Sequence, residues 1–260
     1  MISWVTAAVA GAAGLVVGDY ATVVIERAPA ARTVSGSFRE LTRHPAGECP
    51  RCAARLRVAD LVPLASWVRS GGTCRHCGDR FGAWHPAAET LTAVTFALIG
   101  LRFGASPVLP AFCYLAAVSV ALAFIDVAYR RLPDVLTLPS YLVAIAALGA
   151  ATPVVRHGAG HLIHAAIGLA CALAFYLILA LVYPAGIGWG DVKLSGLLGL
   201  YLGWIGLTAL AIGLAAGFVL AAVAGVALIA AGKATRKSHI PFGPFMLAGS
   251  LVVIIATGLS

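Results

Sequence analysis

The sequence predicts an all-α polytopic membrane protein. It reads as about eight transmembrane helices, with a small cytoplasmic zinc-binding domain after the first. Three observations carry this. Of 260 residues, 61% are hydrophobic and 11% charged, against roughly half and about a quarter in a soluble domain. The apolar residues run in stretches long enough to cross a bilayer, separated by short polar breaks. Four of the six cysteines fall together in the one extended polar segment. A chain this apolar cannot cover itself with polar surface in water. That excludes a cytosolic globular enzyme, a disordered chain and a secreted disulfide scaffold.

The elements follow in order. The chain is apolar from its start to about residue 25, with no basic n-region and no clear cleavage site, so a retained first span is expected over residues 1–26. Residues 27–86 differ in kind: they hold ten of the 18 basic residues, five prolines and four cysteines. They are expected to form a cytoplasmic four-cysteine domain. Residues 87–260 form the membrane domain, with spans expected at about 87–104, 107–126, 134–152, 161–184, 192–204, 206–231 and 241–259. The segment 192–204 is short for a span and reads as tilted or broken.

Orientation follows from the basic residues, which favour the cytoplasmic side. With 27–86 in the cytoplasm and eight spans, Arg130, Arg131, Lys193, Lys233, Arg236 and Lys237 share that side, and only Arg102 and Arg156 lie opposite. Seven spans would put the basic 233–237 loop on the wrong side. Both termini then face away from the cytoplasm. The net charge of +8 is read as topology-setting loops that meet anionic lipid headgroups. Nucleic acid is not expected, because no basic stripe is interleaved with stacking aromatics.

Within the polar segment, Cys49-x2-Cys52 and Cys74-x2-Cys77 are separated by 21 residues. Two such knuckles present four thiolates tetrahedrally to one zinc ion. A small module with a thin core gains stability from such a staple. Reduced thiols without metal, or a redox CxxC pair, are the alternatives. His76 and His85 read as ordinary polar residues of the module. Cys113 and Cys171, alone in apolar runs, read as small hydrophobes.

An ionisable residue inside an apolar span is a functional candidate by default. Asp126 closes the third span in ALAFIDVAYRRLPD, and Asp191 follows the glycines of YPAGIGWGDVKL. Two spans separate them, so both return to the cytoplasmic side, where they can meet. Two carboxyls within reach of each other share a proton. One then activates a water while the other protonates the carbonyl and the leaving amine. This is peptide hydrolysis without a metal or a covalent intermediate. Gly186, Gly188 and Gly190 would let a substrate strand approach the backbone. The plainer readings are a helix end for Asp126 and helix N-caps for Asp191 and Asp134. Asp19 reads as snorkelling or paired, and Glu89 as a helix N-terminus. His157, His161 and His164 read as interfacial residues on the opposite side.

Taken together, these residues resemble the type IV prepilin peptidases, membrane aspartic proteases that process prepilins and pseudopilins of type II secretion. The resemblance runs over almost the whole chain. It includes the ERAP step after the first span, the CPRC to CRHC segment, HPAAE at 85–89 (His85 standing for the usual Tyr), IDVAYRRLPDVLTLP at 125–139, GIGWGD at 186–191 and IPFGPF at 240–245. It implies Asp126 and Asp191 as catalytic, with Gly188, Gly190, Asp134 and Lys193 supporting their motifs. It implies a bacterial cytoplasmic-membrane protein whose cysteine domain and catalytic aspartates lie on the cytoplasmic side. The implied substrates are prepilins with a short basic leader, cleaved after a Gly that usually precedes Phe. The new N-terminus would then be methylated from S-adenosylmethionine. The rival expectation is a non-catalytic transporter or assembly scaffold with a zinc-binding foot, against which the lack of paired internal repeats counts.

Overall fold

The computed structural model describes residues 2–27, 52, 54, 63–80, 82–184, 186–233, 235, 238 and 240–257. Among them are one short and eight long helices. They are α1 (Ile2–Arg27), α2 (Ala65–Ser70), α3 (Trp84–Phe103), α4 (Leu109–Tyr129), α5 (Asp134–Ala151), α6 (Gly158–Val182), α7 (Trp189–Ile205), α8 (Leu207–Ala230) and α9 (Gly243–Thr257). The only bridge between extended residues among those described joins Thr73 to Arg80.

Five helices, α1, α4, α5, α6 and α8, are long and apolar enough to cross a membrane. The other three long helices each have a reason to fall short of that standard. α3 carries His85, Glu89 and Arg102. α7 has 17 residues, about 25 Å at 1.5 Å per residue, and α9 has 15. α7 is not broken: it is one continuous helix, buried at Val192 and at every position from Leu194 to Trp204. A helix apolar on all sides is a core helix, so this short helix occupies the centre of the bundle.

Helices in lipid gain little from burying apolar surface against one another. They associate where small residues let backbones approach. α6 and α7 meet this way: a Cβ on Gly199 would stand 2.6 Å from Ala172 Cβ and 2.9 Å from the Gly168 carbonyl carbon. At the far end of this pair, His161 Nδ1 lies 2.7 Å from the Trp204 carbonyl oxygen. His161 is therefore a structural contact, and its end of α6 is remote from Asp191.

Helix ends place the polar residues. Arg130, in the left-handed conformation, caps α4 and donates its N–H to the Asp126 carbonyl oxygen at 2.8 Å. Asp126 therefore does sit in the last turn of a helix. Pro133, not Asp134, is the N-cap of α5, and Asp134 is its first helical residue, where a carboxylate complements the helix dipole. Gly188 is the N-cap of α7, and Asp191 lies three residues in. Glu89 is not at a helix start. It is buried in the second turn of α3 and accepts the Leu64 N–H at 2.7 Å, tying the polar segment to the membrane helices.

Candidate active site

Asp126 and Asp191 come from α4 and α7 and converge at one end of the bundle, within electrostatic reach of each other. Asp126 is buried, and Asp191 is partly so. Glycine backbone approaches both carboxyls. The first residue of α9, Gly243, presents its backbone N–H toward the Asp126 carboxyl. A Cβ on Gly243 would stand 2.7 Å from Asp126 Oδ2. Asp191 Oδ2 accepts the Gly188 N–H at 3.2 Å, a bond that fixes its rotamer and leaves its other oxygen available. Leu132 fills the space between. Its Cβ would lie 3.1 Å from a Cβ on Gly190, and its Cδ1 3.5 Å from one on Gly243. The sequence motifs around 126–134, 186–193 and 240–245 thus meet in one place.

Asp134 and Lys193, from the same motifs, pair with each other. Lys193 Nζ donates to both carboxylate oxygens of Asp134, each at 2.7 Å. The Tyr141 phenol donates to the backbone carbonyl of Lys193.

Two aromatic residues near the acids, Tyr176 and Phe218, carried no signal in the sequence, and a third, Phe242, lies in the IPFGPF motif. Tyr176 on α6 is fully buried and interacts electrostatically with Asp191. Its ring stacks on Phe218 of α8 at 5.6 Å, and Phe218 lies 5.0 Å from Phe242. Phe242 precedes Gly243 in the chain, so this cluster links the surroundings of the two acids. IPFGPF marked Phe242 and Gly243 as a motif without giving them a role. Tyr176 lies in an apolar run, and only its register opposite Asp191 distinguishes it.

The metal candidates lie in the polar segment. The sulfurs of Cys52, Cys74 and Cys77 all lie within 4.8 Å of one another, with Cys52 Sγ and Cys74 Sγ 4.0 Å apart. Tetrahedral zinc with Zn–S bonds of about 2.3 Å sets S···S edges of about 3.8 Å, so the three thiols suit that ion. Cys49 lies outside the described residues. The second knuckle is built by its turn. The Cys74 carbonyl accepts the Gly78 N–H at 2.9 Å, and the Cys74 N–H donates to the Asp79 carbonyl at 2.8 Å, while Gly78 takes a φ of 71°, a conformation that glycine adopts without strain.

Fold and site together define a multi-pass helical membrane protein with a carboxylate pair at one end of its bundle and a cysteine cluster in its polar segment. The chain belongs to the type IV leader peptidase family, whose domain matches residues 113–256, and residues 12–103 match the bacterial peptidase A24 N-terminal domain. It is 30% identical over 212 residues to a prepilin leader peptidase/N-methyltransferase of Bacillus subtilis, covering 81% of this chain and 82% of that protein. Proteins of the same name from Burkholderia pseudomallei and Pseudomonas aeruginosa are 33% and 28% identical. They cover 93% of this chain and 82% and 87% of their own lengths. No solved structure matches the chain.

Proposed function

We propose that this protein is an aspartic endopeptidase that removes the basic leader of prepilins or pseudopilins after Gly, at the cytoplasmic face of the bacterial membrane. The observation that carries the reading is the convergence of Asp126 and Asp191 at one bundle end, bordered by glycine backbone at Gly188, Gly190 and Gly243. The chain divides into a first helix (1–26), a cytoplasmic four-cysteine domain (27–86) and a membrane aspartic peptidase domain (87–260). The substrate's apolar helix lies in the bilayer beside the bundle, and its leader stays in the cytoplasm.

In the hydrolysis, one carboxylate takes a proton from water as its oxygen adds to the scissile carbonyl carbon. The other carboxyl gives its proton to the carbonyl oxygen. Collapse of the tetrahedral species breaks the C–N bond, with a proton passing to the leaving nitrogen. The products are a leader with a new carboxyl end and a mature protein with a free amine. Close glycine backbone lets an extended substrate strand reach both acids.

Zinc held by Cys49, Cys52, Cys74 and Cys77 would staple the cytoplasmic domain together. Methylation of the new amine from S-adenosylmethionine rests on family membership, and none of the described residues is assigned to the methyl donor.

The test is expression of Asp126→Asn and Asp191→Asn with a prepilin in membranes, reading the substrate's N-terminal mass. Each variant should insert and fold yet leave the leader uncut. A fully active Asp191→Asn would overturn the reading. In the wild type, a further gain of about 14 Da, the formula mass of one added CH2, reports one methyl group.

A further inference from the structure

Asp126 and Asp191 are separated by 65 positions in the chain, with two long helices, α5 and α6, between them. Their spacing in the folded protein must therefore be set by contacts. Two contacts close a path between them: Leu132 packs against Gly190, beside Asp191, and Lys193 pairs with Asp134. Asp134 lies eight residues after Asp126, and Lys193 lies two after Asp191. The ion pair joining them is bidentate, with both N···O distances at 2.7 Å. It is reinforced from the same helix. Tyr141, seven residues after Asp134 and so on the same face of α5, donates its phenol to the Lys193 backbone carbonyl. One helix therefore grips the start of α7 at the Lys193 side chain and again at its backbone.

Local preference does not account for this lysine. Lys193 lies in the second turn of α7, near the positive end of the helix dipole, where a cation is disfavoured. Asp134, by contrast, sits in the first turn of α5, where a carboxylate is favoured. The partly exposed pair, with 38% and 30% of its side chains accessible, belongs to a class that contributes little to stability. What it does fix is separation, because one ammonium stands 2.7 Å from both carboxylate oxygens.

We propose that Lys193 is a positioning residue: held by Asp134 and Tyr141, it sets the start of α7 against the end of α4 and so fixes the separation of the two carboxyls. The proposal rests on the reading of Asp126 and Asp191 as the acting pair.

The test uses the full-length protein in nanodiscs. The substrate is a prepilin reporter with a basic leader, Gly, Phe and an apolar helix. Lys193→Met, Asp134→Asn, Lys193→Arg and the exchange Asp134→Lys/Lys193→Asp are assayed for kcat and KM beside Asp191→Asn. In parallel, spin labels on p-acetylphenylalanine replacing the exposed Tyr129 and Trp189 report the distance between the ends of α4 and α7 in each tether variant. Misplacement of reacting groups by about 1 Å costs as much as 10²-fold. Lys193→Met and Asp134→Asn should therefore lose roughly 10- to 100-fold in kcat with KM within about twofold, and should broaden the label distance. Lys193→Arg should keep most activity. The exchange should recover severalfold over the singles and narrow the distance again, short of wild type because it inverts both dipole preferences.

Singles with wild-type kcat would overturn the proposal, as would an exchange no better than the singles. The two readings fail separately. A fully active Asp191→Asn refutes the acting pair whatever the tether variants do. A wild-type label distance in Lys193→Met refutes the tether whatever Asp191→Asn does.

Discussion

Gly243→Ala is the smallest change that tests whether glycine backbone places the Asp126 carboxyl. Gly243 opens α9 without a positive φ, so alanine suits the backbone and is the better helix former. The added methyl would nonetheless stand 2.7 Å from Asp126 Oδ2. Ordinary van der Waals contact begins at 3.4 Å, so the carboxyl must retreat by 3.4 − 2.7, about 0.7 Å. Leu132 blocks one direction, since its Cδ1 lies 3.5 Å from the same methyl. With about 1 Å of misplacement costing up to 10²-fold, the expected loss in kcat is roughly 10- to 100-fold, or about 1.4–2.7 kcal/mol of barrier. KM and thermal stability should change little. Gly149→Ala is the control: it lies inside α5 with nothing within 4 Å of its Cβ position. The assay is cleavage of a prepilin reporter at saturating substrate, with thermal unfolding of both variants alongside. A Gly243→Ala enzyme with kcat within about twofold of wild type would refute the idea that this close approach sets Asp126.

Two further outcomes are expected. Gly199→Ala puts a methyl against the Gly168 backbone and Ala172 Cβ. It should lower stability by about 1–3 kcal/mol, the cost of overpacking, read as a lower thermal midpoint in detergent; an unchanged midpoint would mean that α6 and α7 separate freely. Purified wild type should carry about one zinc per chain, and Cys74→Ser should lose it while Cys113→Ser keeps it. Clearly sub-stoichiometric zinc with four reactive thiols in the wild type would reject the metal site.

Much of the architecture is legible in the residues, because lipid leaves few choices. A backbone in hydrocarbon must satisfy its own hydrogen bonds, so each apolar run becomes a helix. The expected 107–126 and 161–184 appear as Leu109–Tyr129 and Gly158–Val182. The candidate acids are legible for the same reason, since charge is scarce enough for each acid in an apolar run to stand out. What one sequence does not show is which helix faces which. The Asp134–Lys193 pair, the Tyr141 bond to the Lys193 carbonyl and the seat of Glu89 under Leu64 all join residues 25 to 59 positions apart. They depend on rotations about helix axes that periodicity cannot fix when a helix is apolar on all sides. For the same reason 192–204 looks like a weak span and is in fact the most buried helix. Its shortness goes with enclosure rather than breakage.

That shortness also bears on how deep the two acids sit among the helices. α6 and α7 run antiparallel, and their contacts set the register. A Cβ on Gly203 would stand 3.0 Å from Ala165 Cα, and Ser195 Oγ donates to the Ala172 carbonyl at 3.2 Å. Continuing that register along both helices puts Asp191 level with Tyr176 and Leu177, in agreement with the interaction between Asp191 and Tyr176. From Tyr176, α6 continues six residues to Val182, about 9 Å farther. Asp191 is thus recessed below the end of its neighbouring helix. Asp126 is likewise three residues short of the end of α4, about 4.5 Å. Asp191 thus lies short of the end of α6 and Asp126 short of the end of α4, with Gly188, Gly190 and Gly243 near their carboxyls. Tyr176 places α6 beside Asp191. A longer α7, extended before Trp189 to the level of Val182, would leave Asp191 in this register and add helix above it. The shortness of the central helix therefore leaves Asp191 close to its own helix start and below the end of α6, and the proposed Asp134–Lys193 tether holds that start in place.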